Sequence, residues 1–192
     1  MSFTKLTAGT ASFPDMEQAL VYGKEHTFLE PETGLLFRNS SIHQTAKLHT
    51  HTFYEIFVVT DGTALHMINQ SIQTLQKGDL VFIRPKDVHT YEFHCSENFR
   101  IINVGFSKQI FQSIVSFLNN YEELNELIGA DFPPTVTLEN DKLEKVIAAF
   151  TAIGSAMKTP HFTQKVLSAK SCLASVFIDY FFHYTIKETP AH

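Results

Sequence analysis

The chain has 192 residues, 44% of them hydrophobic, with 15 Lys and Arg against 20 Asp and Glu and a formal charge of −5. That length buries one full core, or one domain with a small helical appendage, without covalent staples. The acidic balance argues against this stretch gripping a phosphate backbone by itself. Cys95 and Cys172 lack C-x-x-C spacing, which points to reduced thiols rather than a disulfide framework or a thiolate zinc site.

The N-terminal stretch MSFTKLTAGTASFPDMEQ has no cationic segment leading into an apolar one. No secretory signal is visible, and a cytoplasmic location is the expectation. Residues 1–33 read as an arm, with a short helix over 15–24 and a turn at 31–34. From Leu35 to Phe106 the pattern becomes short runs of Val, Ile, Phe, Tyr and Thr separated by turn residues, as in an all-β barrel or sandwich. Strands are predicted over 34–39, 46–61, 63–69, 71–76, 79–83, 89–94 and 99–106. Turns fall at Asp61-Gly62, Asn69-Gln70 and Lys77-Gly78-Asp79.

After Ser107, a suitable N-cap, the apolar period changes from 2 to 3.6 through Ile110, Phe111, Ile114, Val115, Phe117 and Leu118. A second short helix over 121–128 stops at Gly129, and Pro133-Pro134 mark an extended connector. A helix over 141–157 carries Leu143, Val146, Ile147, Phe150 and Ile153 on one face. Another, capped by Thr159 with Pro160 in its first position, is predicted to run to about Lys187. The short link between them makes an antiparallel hairpin, whose aromatic surface is expected to pack on the barrel, to form a homodimer seam through 141–187, or both. Its most apolar run, 176–184, is interrupted by Asp179 and His183 and is far shorter than the ~20 residues of a membrane span.

Period-2 alternation puts His49, His51, Phe53, Glu55 and Phe57 on one face of their strand. With His89 from a neighbouring strand, His49, His51 and Glu55 make a three-imidazole, one-carboxylate set suited to zinc, nickel, iron or manganese. The same groups also suit a metal-free pocket in which they bond to a ligand. His66 and His94, unpaired at any fixed spacing, are expected in surface or packing roles. Phe53, Phe57, Tyr91 and Phe93 share strands with the histidines and are candidate lining for a sugar ring or a flat organic ligand. Arg84, beside Pro85, is a candidate for recognising a carboxylate or sugar hydroxyl, or a structural donor at a strand end. No Ser or Cys stands in a nucleophile motif and there is no Gly-rich phosphate loop, so no catalytic residue is assigned.

His49, His51, Glu55 and Gly62 follow the pattern H-x-H-x3-E-x6-G, which resembles the first motif of the cupin superfamily; Gly78, Pro85 and His89 are similar to its second. Asp87 stands where cupins typically carry glycine, the gap from Gly78 to Pro85 is one residue longer, and Phe93 replaces a frequent Asn. These departures weigh against an enzymatic cupin. A broader resemblance rests on His51-Thr-Phe-Tyr-Glu-Ile-Phe57, Lys77-Gly-Asp-Leu-Val-Phe-Ile-Arg-Pro85, Asp87-Val-His89 and Arg100-Ile-Ile-Asn-Val-Gly-Phe-Ser-Lys108. Together they resemble the N-terminal sensor domain of AraC-family transcription regulators, the last segment being similar to regulators of chitobiose and chitooligosaccharide utilisation.

The resemblance implies a mainly β fold with α elements: a cupin-type jelly-roll barrel over 34–107, a helical dimerisation region over 108–188 and the start of a linker at 189–192. It also implies a small-molecule effector, with DNA bound only through a C-terminal helix-turn-helix domain. No basic recognition helix occurs in this chain, which therefore reads as the sensor part of a longer regulator. A stand-alone metal-dependent dioxygenase or sugar isomerase, and a dimerising barrel without ligand, are the alternatives.

Overall fold

The β-branched and aromatic runs form strands, and the turns between them fall where residues tolerate positive φ. The computed structural model describes residues 20–22, 28–42, 47–92, 98–119 and 121–182, with 20–22 and 121 described by their backbone alone. The strands are β1 (Leu20–Tyr22), β2 (Leu35–Ile42), β3 (His49–His51), β4 (Tyr54–Asp61), β5 (Thr63–Ile68), β6 (Ser71–Gln76), β7 (Asp79–Ile83), β8 (His89–Glu92), β9 (Phe99–Phe106) and β10 (Thr135–Thr137). The helices are α1 (Lys108–Leu118), α2 (Tyr121–Gly129), α3 (Asn140–Met157) and α4 (Phe162–Val176), the last continuing into a π-helical turn, Phe177–Phe181.

Two five-stranded sheets, in the orders β1-β3-β8-β5-β6 and β10-β7-β4-β9-β2, make a cupin-type jelly roll. All pairings are antiparallel except β1 with β3. Asn69 and Gln70 both have positive φ, 47° and 65°, the condition for the tight two-residue hairpin joining β5 to β6.

Alternation along β4, β7 and β9 divides the apolar residues between two cores. Phe57, Val59, Val81, Ile83 and Ile101 face inward and fill part of the barrel with Ile68, Leu75, Tyr91 and Phe99. Tyr54, Ile56, Val58, Leu80, Phe82, Ile102, Val104 and Phe106 face outward into a second cluster with the helices. The helical faces that close it include Ile110, Phe111 and Ile114 of α1, and Leu143, Val146, Phe150 and Ile153 of α3. Leu173 of α4 and Phe177 and Phe181 of the π turn complete it. The hairpin's aromatic surface is therefore spent largely on the barrel's outer sheet. Ser107 caps α1 by accepting from the Ile110 amide at 3.3 Å.

Several local expectations are corrected. Residues 20–22 of the expected N-terminal helix form β1, held by pairing with β3; residues 15–19 and 23–24 lie outside the described residues, as do 183–192. The strand expected over 46–61 is broken at Thr52-Phe53. Residues after Pro134 become β10 because the edge of β7 offers unpaired backbone groups. The cap of α4 is His161 rather than Thr159, with no side-chain cap bond. The Thr159 hydroxyl is instead donated to the Ala156 carbonyl.

Candidate functional site

Toward one end of the barrel the inner faces turn polar around a cavity of ≈ 260 Å³. Its lining includes His49, His51, Phe53, Glu55, His89 and Tyr91, so the residues either side of the β3–β4 break still face the same way. Asn103 and Ile101 from β9 and Leu36, Arg38, Ser40 and Ile42 from β2 add to the wall, and Phe28 from the arm lies under the Arg38 guanidinium, 4.9 Å from ring centroid to Cζ.

Hydrogen bonds fix the rings. His51 Nδ1 donates to the Phe53 carbonyl at 2.7 Å, which leaves Nε2 facing Glu55 Oε2 at 3.4 Å. His49 Nδ1 donates likewise to the Lys47 carbonyl at 2.8 Å. His89 lies directly across from His49 in the β3–β8 register, with ring centroids 4.2 Å apart. Asn103 Nδ2 donates to Glu55 Oε1 at 3.0 Å.

Burial alone would raise the Glu55 carboxyl, but the adjacent His51 imidazole, with the Asn103 amide, outweighs it and holds its pKa below the ordinary value. Burial pushes the His49 and His89 imidazoles down, His89 well below the usual range, and the neighbouring histidines add to the shift in His89. Burial, with the Glu55 charge second, raises the Tyr91 phenol. The cavity thus holds a carboxylate near two imidazoles, His49 and His89, that resist protonation.

Four buried polar atoms have no hydrogen-bond partner among the described residues: His51 Nε2, His89 Nε2, Tyr91 Oη and Asn103 Oδ1. All four belong to residues that line this one cavity. Buried polar groups in native proteins are ordinarily satisfied, and each orphan costs ~1–3 kcal/mol. The unsatisfied atoms thus cluster in the residues around this cavity.

The remaining candidates lie elsewhere. Phe57 is fully buried in the apolar cluster below the cavity. Arg84 is only 1% exposed and does not face the cavity: its guanidinium makes a bidentate pair with Asp87 and donates to the carbonyls of Leu127 and Ala130 at the end of α2. It holds a loop to a helix terminus and is not a ligand contact. Phe93, with His94 and Cys95, lies outside the described residues. Cys172 is a free, half-buried thiol.

His66, expected in a surface or packing role, is fully buried and bonded to His89. Asn103 was not singled out by sequence either. The signal available for both was inward phase on a strand, but cross-strand register alone puts them beside the cavity.

Among the described residues no three His, Cys, Asp or Glu side chains stand close enough together to hold a metal ion. His49, His51, Glu55 and His89 surround one cavity, but the centroids of His51 and His89 are 5.6 Å apart and those of His49 and His51 6.4 Å. As they stand they do not form a coordination shell.

A jelly roll with a helical layer and a polar cavity has the build of a ligand-binding domain. Residues 22–147 match the model of the AraC-like ligand binding domain, and the chain belongs to that family. Among curated proteins it is similar to the HTH-type transcriptional activator RhaS of Citrobacter koseri, 29% identical over 58% of this chain and 40% of that protein. It is also similar to the activator RhaR of an Enterobacter species, 32% identical over 43% of this chain and 28% of the relative. The match therefore spans 40% or less of these relatives' length. Among solved structures, an apo ToxT variant from Vibrio cholerae superposes with a TM-score of 0.53 at 12% identity, covering 81% of this chain and 61% of that one. Unsaturated-fatty-acid-bound ToxT superposes at 0.51 with 13% identity, covering 81% and 58%. At such identity these two show the fold alone.

Proposed function

We propose that this chain is the effector-sensing and dimerisation part of an AraC-like, sugar-responsive transcription regulator of the cytoplasm, without catalytic activity. The observation that carries the sensing role is a cavity of ≈ 260 Å³ lined by imidazole, carboxylate, amide and phenol side chains, four of whose buried polar atoms have no hydrogen-bond partner among the described residues. Hydroxyl-rich molecules both donate and accept, and so match a wall of carboxylate, amide, phenol and imidazole. Phe53 offers an apolar face to a sugar ring, stacked on His51 at 4.3 Å. The volume lies just under the roughly 300–1,000 Å³ of ordinary ligand cavities, which suits one sugar ring with the rest of an oligosaccharide outside.

Effector binding shifts a regulator only by its differential affinity for two arrangements of barrel and helices. Thermal denaturation against mono-, di- and chitooligosaccharides tests the pocket. A true effector at 100 times its Kd stabilises the fold by ~2.7 kcal/mol. A panel of sugars and sugar phosphates that leaves the midpoint unmoved overturns the sugar assignment.

Dimerisation is supported by Leu167 and Ile178, 59% and 43% exposed, set 11 residues apart and so on nearly the same side of α4 and its continuation. Leu167→Glu with Ile178→Glu should convert a dimer to a monomer in sedimentation; a wild-type monomer at high concentration overturns this part.

A divalent zinc, nickel, iron or manganese ion drawn to His49, His51, Glu55 and His89 is a second reading. The observation favouring it is His51 Nε2, whose partner nitrogen has spent its proton on a carbonyl while Nε2 itself faces a carboxylate. Elemental analysis of purified protein tests it, and less than a tenth of an equivalent of metal overturns it.

A further inference from the structure

We infer that Gln73 and His66, both behind the cavity wall, position His89 so that its unpartnered Nε2 carries the proton, and that an effector atom reaching that nitrogen is an oxygen acceptor. The inference rests on the effector-pocket reading and identifies two positioning residues for it.

The chain of contacts follows from strand register. Gln73 of β6 stands directly opposite His66 of β5, and His66 stands opposite Tyr91 of β8, which makes His89 its diagonal neighbour. The Gln73 side-chain nitrogen lies 2.8 Å from His66 Nδ1, and His66 Nε2 lies 3.1 Å from His89 Nδ1. Tyr91 stacks on the His66 ring at 5.0 Å and Phe57 meets it edge-on at 6.0 Å, so the ring is held in this orientation.

A neutral imidazole has one N–H and one lone pair, so a bonded series of two rings and an amide has only two consistent directions. An amide nitrogen only donates. His66 Nδ1 must then accept, His66 Nε2 carries the proton and donates to His89 Nδ1, and His89 Nε2 carries the remaining proton. That nitrogen is one of the four buried atoms without a partner. Both rings are fully buried, which favours their neutral forms. The opposite direction, with the amide oxygen toward His66, would leave His89 Nε2 as a bare lone pair suited to a metal. The amide of Gln73 thus decides which chemistry His89 offers two strands away.

Long-range ¹H–¹⁵N correlation spectra of the histidine side chains, recorded on the ligand-free chain at pH 8, report the tautomers directly. The expected wild-type result is His66 and His89 both protonated on Nε2. Gln73 is half-buried, and Gln73→Glu introduces a group that only accepts, so both rings should move their proton to Nδ1. Gln73→Met, which neither donates nor accepts, should give His89 as a mixture of tautomers. His89 protonated on Nδ1 in the wild type, or keeping an unmixed Nε2–H form in both variants, overturns the inference. A second readout uses Co²⁺ alone in calorimetry, with Gln73→Glu expected to bind at least ten-fold more tightly than wild type; equal affinity also overturns it. The spectra need no effector. A chain that shows the expected tautomers yet is stabilised by no sugar retires the effector reading and keeps the relay.

Discussion

Replacing Arg84 separates a structural clamp from a ligand contact. The guanidinium is 1% exposed and Asp87 is fully buried; Nε and Nη2 each reach a carboxylate oxygen at 2.8 Å, while Nη1 reaches the Leu127 and Ala130 carbonyls at 3.0 and 2.6 Å. Arg84→Met leaves the Asp87 carboxylate with the Asn69 side chain and the residue 84 backbone amide as donors, and leaves the Leu127 carbonyl at the end of α2 without its cation, while Ala130 keeps Lys86. Breaking a buried pair by removing one partner costs ~3–5 kcal/mol. For a chain of this length each kcal/mol moves Tm by roughly 2–4 °C, so a fall of about 6–20 °C is expected in calorimetry. Arg84→Lys keeps the charge but not the fork and should fall between the two. Sugar affinity of the folded variant should equal the wild type, because the side chain does not line the cavity. A midpoint within 2 °C of wild type, or a stable variant that has lost effector binding, refutes this reasoning.

Tyr91→Phe removes one unpartnered buried hydroxyl and should raise the apo midpoint by the equivalent of about 1 kcal/mol while weakening the effector-induced thermal shift; lower apo stability would show that the hydroxyl is satisfied. His66 has a folded pKa of about 3 against an unfolded value near 6.5, so the unfolded chain binds more protons between those values. Its stabilising contribution is therefore complete above pH 6.5 and is lost as pH falls, by roughly 2 kcal/mol at pH 5. Urea denaturation from pH 8 to 5 should show this, and His66→Gln should flatten the dependence. Gly62 has φ +78° and a Cβ there would lie 1.8 Å from the Asn98 carbonyl oxygen, so Gly62→Ala combines a left-handed backbone with a clash against main chain. A loss of roughly 3 kcal/mol or more is expected. A Gly62→Ala midpoint near wild type would mean that the β4–β5 turn relaxes freely.

Local periodicity carried much of the fold. The strands expected over 71–76, 79–83 and 99–106 coincide with β6, β7 and β9, and α1 begins directly after Ser107, because side-chain alternation and cap chemistry act between near neighbours. The same alternation put His49, His51, Phe53 and Glu55 on one face, where they line the cavity despite the break at Thr52-Phe53.

What depended on contacts far along the chain could not be read this way. Arg84 could be read from sequence as a ligand contact or as a structural donor, and α2, more than 40 residues later, brought the carbonyls that make it the second. His66 looked unpaired because its partners, Gln73 and His89, are joined to it by register rather than by spacing. Residues 20–22 and 135–137 became strands only because β3 and β7 supplied edges to pair with. Sequence by itself determined the period, the turns and the residue types on the inner face, since these follow from one residue and its neighbours. Tertiary structure decided which polar atoms remain without partners and which way their protons point, since a hydrogen bond needs both ends in place.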